Sequence, residues 1–179
     1  MDFLECVQSR RSVRKYQPTP VEEATLRRII QAASYAPSWK NTQTTRYILV
    51  QDSRVKAELA EHCVMGFEPN KVTILDAPVV ILVTTITGRS GYERDGTFST
   101  DKGTHWQSFD AGIATQTLCL AACNEGLGTV VLGIFDEKKV AEIVGIPQGQ
   151  TLSAMVTIGE PKEIPAMPRR KEVDDLLTV

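Results

Sequence analysis

Histidine and tryptophan are scarce in this 179-residue chain, two of each. Neither His62 nor His105 has a paired ligand at finger-like spacing, so a structural metal site is not expected. There is no G-x-S-x-G elbow, and two imidazoles offer little choice of base, which leaves a Ser/His/Asp hydrolase unmotivated. The phosphate loop G-x-x-x-x-G-K-[ST] is missing. GLGTVVLG, from Gly126 to Gly133, departs from G-x-G-x-x-G and precedes a strand instead of following one, so it reads as a helix cap. Excess charge of one sign is also missing: 20 Lys and Arg stand against 22 Asp and Glu, a net charge of -2. Neither a nucleic-acid nor a membrane partner is expected from that balance.

Long hydrophobic runs are absent as well, the longest apolar stretch, Ala77 to Val83, being far too short to span a bilayer. The beginning MDFLECVQSR carries an acid at position 2 and no apolar run of signal-peptide length, so a cytoplasmic location is expected. In that reducing compartment the four cysteines, Cys6, Cys63, Cys119 and Cys123, are expected as small core residues without disulfides. Cys119 and Cys123 lie four apart on one helical face but lack imidazole partners for a metal.

What is present is enough for one domain over residues 1–179, 42% hydrophobic and long enough to bury a core. Asp2 caps a short helix whose Phe3, Leu4 and Val7 share a face. Thr19-Pro20-Val21-Glu22 has the pattern of a capping box with proline at the first helical position, opening a helix through Leu26, Ile29, Ile30 and Ala33 that Pro37 closes. Tyr47–Val50 reads as a strand, Ser53–Cys63 as a helix, and APVVILVTTI as a strand buried on both faces. A polar excursion from Tyr92 to Thr104 precedes a long helix from about Trp106 to Asn124, capped near Gly126. A strand after Gly128, a helix from Asp136 to Gly145, a strand from Thr151 to Ile158 and a proline-spotted arm complete the chain.

Against this neutral background SRRSVRKY, Ser9 to Tyr16, concentrates four cations and two serine hydroxyls with no acid. Guanidinium forks at Arg10 and Arg11 beside the Ser12 hydroxyl form a donor set suited to a phosphate dianion, and Arg14 and Lys15 add positive potential. A second cluster, Arg169-Arg170-Lys171, stands near the other end, and chain termini of a compact domain often lie close together. Without a broader basic face interleaved with aromatics, a small phosphorylated ligand fits better than nucleic acid.

RRSVRKY, APSWKNTQ, FEPNKVTILDAPVV, DAGIATQTLCLAACNEGLGT, VGIPQG and IGEP occur in that order, and together they resemble the nitroreductase family of FMN-dependent oxidoreductases over nearly the whole chain. The resemblance implies an α+β fold: a mixed, largely antiparallel sheet flanked by helices in three α/β/α layers. It also implies a homodimer with FMN at the subunit interface and the C-terminal arm exchanged between subunits. By position, Arg10, Arg11 and Ser12 match residues holding the FMN phosphate and ribityl chain, and Arg14 the cation at the pyrimidine edge. Arg170, helped by Arg169, matches the arm residue that completes the phosphate site. Pro37, Ser38 and Trp39 match a segment contributed by the partner subunit, with Asn41 just after it. Asn70 matches a contact to the ring, and Leu132 and Gly133 the backbone beside N5.

A guanidinium at Arg14 would stabilise the negative charge that appears on the ring on reduction. Transfer at N5 needs orientation more than acid-base catalysis, so no catalytic side chain is expected. The chain departs from the family at Gln43-Thr44-Thr45, where larger members continue Q-P-W, and at Thr73, where many carry lysine. The implied function is an FMN-dependent NAD(P)H oxidoreductase that is reduced by NADH or NADPH and then, in a ping-pong cycle, reduces a nitroaromatic or quinone. The alternative is a flavin carrier or redox sensor without efficient turnover. Trp39, His105 and Trp106 are candidates for the wall of the substrate pocket, with Trp106 equally readable as a core anchor.

Overall fold

A computed structural model describes residues 1–178. Its centre is β2 (Val79–Ile86), the β-branched run, whose residues are buried on both faces up to Thr85. It pairs antiparallel with β4 (Gln150–Gly159) on one side and with β1 (Thr45–Val50) on the other. β3 (Gly128–Leu132) pairs antiparallel with the far side of β4, giving the order β1-β2-β4-β3. All pairings of these four strands are antiparallel, so the mixed sheet expected from sequence is antiparallel in its named strands. An isolated bridge between Ser12 and Thr129 is parallel.

Alternation along β2 sends Val79, Ile81 and Val83 to one core and Val80 and Leu82 to the other. A register shift at Val83/Thr84 interrupts the β2–β4 ladder. The first face is covered by α2 (Glu23–Ala33), through Leu26 and Ile29, and by α5 (His105–Asn124), through Leu118, Cys119 and Ala122. The second is covered by α3 (Ser53–His62) with Leu59, α4 (Glu68–Asp76) with Ile74 and α6 (Glu137–Val144) with Val140. These make the three α/β/α layers. Asp52 and Asp136 cap α3 and α6 with side-chain bonds to backbone N–H groups, and Gly145 ends α6 in the left-handed conformation. No helix among the described residues is long and apolar enough to cross a membrane.

Several local expectations change. α1 (Phe3–Ser9) is capped by Asp2, but Phe3, Leu4 and Val7 are exposed and Cys6 is the residue it buries, against α5. The box at Thr19–Glu22 does not form: α2 starts at Glu23 after an extended Glu22 that makes no side-chain cap bond, and Val21 is buried in the core. α2 also ends at Ala33, well before Pro37. The helix α4 had no apolar stripe to announce it, since Asn70 and Thr73 share its buried side with Ile74. From Lys162 to Thr178 the C-terminal arm is exposed.

Tyr16 locks the end of the basic stretch into the interior. Its hydroxyl donates to the Val13 carbonyl at 2.6 Å and meets the Thr157 hydroxyl at 2.7 Å, while its backbone N–H donates to Asp76 at 2.6 Å. Burial pushes its phenol well above the ordinary value, and pushes that of Tyr47 up to about 12. A raised phenol pKa means the folded chain holds the proton more tightly, so the contribution to stability is complete below about pH 10 and is lost as pH rises toward 12. The urea midpoint should therefore fall between about pH 10 and pH 12. Tyr47→Phe should fall less steeply, and an identical slope would show that Tyr47 is not linked to folding.

Candidate functional site

Two groups of predicted residues come together along β3. Arg10 caps the end of α1, its N–H donating to the Cys6 carbonyl at 3.1 Å, and the chain then runs beside the start of β3, Val13 N–H donating to the Thr129 carbonyl at 3.0 Å. The close approach requires glycine at position 128, where an added Cβ would lie 2.5 Å from a Val13 methyl. A cavity of about 160 Å3 opens here, lined by Arg10, Arg11, Val13, Gly128, Pro161 and Ile164 among others.

The guanidinium of Arg11 donates to the carbonyls of Gln8 (2.5 Å) and Arg10 (2.9 Å), and that of Arg14 to the Ser12 carbonyl at 3.2 Å. None of Arg10, Arg11 and Arg14 has an ion-pair partner among the described residues, whereas neighbouring Lys15 is paired with Glu163 at 3.0 Å. Three guanidiniums within five residues, left without a carboxylate, create a potential that an anion would relieve.

At the other end of β3, Leu132 is buried and Gly133 is exposed, with no atom within 4 Å of where its Cβ would be. Asn70, on α4, donates its side-chain amide to the Ile134 carbonyl at 3.2 Å. Four strand steps separate Thr129 from Gly133, a span of about 13 Å. Thr73 is turned inward and donates to the Pro69 carbonyl of its own helix at 2.7 Å, so no cation stands at that position.

The third group lies elsewhere. Pro37, Ser38, Trp39 and Asn41 belong to the segment between α2 and β1, which includes a 3-10 turn at Trp39–Asn41. Lys40, Asn41 and Gln43 have φ of 45°, 53° and 50°, left-handed values that side chains other than glycine adopt at a cost. Trp39 packs on Trp106 with ring centroids 4.7 Å apart, and Trp106 donates its indole N–H to Thr100 at 2.8 Å. Trp106 is thus a part-buried anchor that also supports Trp39. The turn leads into β1, and the basic stretch lies against β3, so they flank opposite edges of the sheet, three strand spacings or about 14 Å apart.

The arm residues Arg169 and Arg170 are exposed and make no ion pair among the described residues, so convergence of the two basic clusters is not seen within this chain. The arm does start beside the basic stretch, where Lys162 N–H donates to the Lys15 carbonyl at 3.0 Å. Cys63 and Cys119 lie in the cores, and burial pushes their thiols up, Cys63 to about 11, away from the thiolate a nucleophile needs. Two positions were missed from sequence. Gly128 gave no signal, because its partner Val13 is remote in sequence; Asp110 gave one, as the sole acid in the apolar helix α5.

A family model, Nitroreductase family, matches residues 7–160, which include both ends of β3, the 37–41 segment and α5. The chain belongs to the nitroreductase family. An FMN reductase [NAD(P)H] of Bacillus subtilis is 30% identical over 171 residues, covering 90% of this chain and 67% of that protein. Among solved structures, a nitroreductase family protein from Clostridium novyi NT superposes with a TM-score of 0.79 at 29% identity, covering 91% of this chain and 87% of its own. NADPH:FMN oxidoreductase from Vibrio harveyi, complexed with NAD+, gives 0.81 at 26%, covering 98% of this chain and 76% of its own.

The nitroreductase fold here therefore holds its basic stretch on β3 through one glycine. Gly128→Ala should destabilise the chain by about 1–3 kcal/mol, since Val13 must move. Adding Val13→Ala should cost less than the sum of the two single changes in denaturant unfolding, and strict additivity would show that they do not clash.

Proposed function

We propose that this chain is an FMN-dependent NAD(P)H oxidoreductase that reduces electron-poor acceptors, nitroaromatics and quinones, in a ping-pong cycle. The observation that carries the proposal is the row of chemistry along β3: unneutralised guanidiniums and a serine at one end, an amide and an open glycine at the other. A donor set of this kind fits a phosphate followed by a chain and a flat polar ring. FMN supplies a two-electron carrier able to accept reducing equivalents from NADH or NADPH and pass them on.

Arg10, Arg11 and Ser12 are assigned to the phosphate and ribityl chain, Arg14 to the charge that reduction adds at the pyrimidine edge. Asn70 orients the ring by hydrogen bonding, and Leu132 and Gly133 leave its reactive edge open to donor and acceptor in turn. With no nucleophile or general base required, the buried thiols and exposed histidines stand outside the chemistry.

Pro37, Ser38, Trp39 and Asn41 flank the opposite sheet edge from the basic stretch, which favours contact with the ring held by a partner subunit. Their assignment to the site requires a homodimer, each FMN held by β3 of one subunit and the 37–41 segment of its partner. Exchange of the exposed arm would bring Arg169 and Arg170 to the phosphate end.

Purified protein should be yellow, with the absorbance of bound oxidised flavin, and NADH or NADPH should bleach it in stopped-flow. Bleaching by dithionite alone would overturn the donor half, and bleaching without acceptor turnover would favour the carrier or sensor reading. Arg10→Ala and Ser12→Ala should each weaken FMN binding by about 1.5–3 kcal/mol, and unchanged affinity in both would refute the phosphate assignment.

A further inference from the structure

Asp110 is 3% exposed on α5, and both oxygens of its carboxylate accept the backbone N–H of Trp39, at 3.1 and 3.0 Å. No cation pairs with it among the described residues. A buried carboxylate is costly unless its lone pairs are compensated, and here a single amide is what it holds. That amide opens the turn in which Lys40, Asn41 and Gln43 all take left-handed φ.

The same helix grips the turn a second time. Trp106 and Asp110 stand four residues apart on one face of α5, so the indole meets the Trp39 ring while the carboxylate meets its N–H. The hydroxyl of Ser38 accepts the N–H of Gln43 at 2.9 Å and closes the turn on itself. Lys40 is paired with Glu93 at 2.8 Å, so Trp39 is the residue of the turn whose backbone the Asp110 bond holds directly.

We propose that Asp110 is a positioning residue that holds the 38–43 turn in the conformation that meets the flavin of the partner subunit, an inference that rests on the proposed function for the turn's role but not for the turn's shape. It touches neither FMN nor substrate and acts through Trp39.

Trp39 and Trp106 are the two tryptophans of the chain, so the exciton couplet of the two tilted indoles in far-UV circular dichroism reports this contact in the flavin-free protein. Trp106→Phe supplies the reference spectrum without it. Asp110→Ala should abolish the couplet and raise the Kd for FMN at least tenfold. Asp110→Asn, which keeps one carbonyl acceptor and the side-chain volume, should retain the couplet and most of the affinity, and it keeps the test available if the alanine variant does not fold. An intact couplet in Asp110→Ala, or its loss in Asp110→Asn, would overturn the positioning role. Loss of the couplet in Asp110→Ala with unchanged FMN affinity would instead overturn the placement of the turn at the flavin.

Discussion

β2 and β4 pair from Val79–Ile158 to Ile86–Gln150 at the middle of the sheet, and that pairing decides where the rest of the chain stands. Both strands are covered on their two faces by apolar cores, so neither can surrender a neighbour without exposing valine, isoleucine and leucine to water. β1 and β3 are thereby fixed as the edges. Edge strands carry unpaired backbone groups, and on β3 the Thr129 carbonyl is met by Val13 from the basic stretch. The ligand-binding chemistry proposed above follows that edge because the basic stretch is tied to it.

The same constraint keeps the basic stretch and the 38–43 turn at opposite edges of the sheet. The basic stretch sits by α1 and the C-terminal half of α5, where Cys6 donates to the Leu120 carbonyl at 3.2 Å. The strained turn sits at Asp110, ten residues earlier on the same helix, which is about 15 Å of rise. Rigid secondary structure lies between them, so no side-chain rotation brings them together. The composite site proposed above would give the left-handed turn at residues 40–43 and the unpaired guanidiniums at residues 10–14 a common explanation, with each half incomplete alone.

Much of this was legible in the sequence where one residue type had one physical role. The β-branched run announced β2 and Asp136 announced its helix, while the acid-free stretch SRRSVRKY suggested the anion site that the proposed function adopts. What was not legible depended on tertiary partners. α4 hid because its buried side mixes Asn70 and Thr73 with Ile74, and the start of α2 was misplaced because the local capping pattern does not form where Val21 is buried in the core. Gly128 looks like any strand-opening glycine until Val13 is seen against it. Asp110 was visible as a lone acid on an apolar helix, but its meaning lies in an amide 71 residues away.

The central claim is that each flavin site takes its basic stretch from one chain and its strained turn from another. Two variants test it together, one carrying Arg10→Ala and Arg11→Ala, the other Trp39→Ala and Asn41→Ala, co-expressed with different tags and isolated as the heterodimer. Neither homodimer should retain FMN, while the heterodimer, which restores one undamaged pairing of halves, should bind one FMN per dimer. A heterodimer as empty as its parents would place the whole site within a single chain and contradict the account.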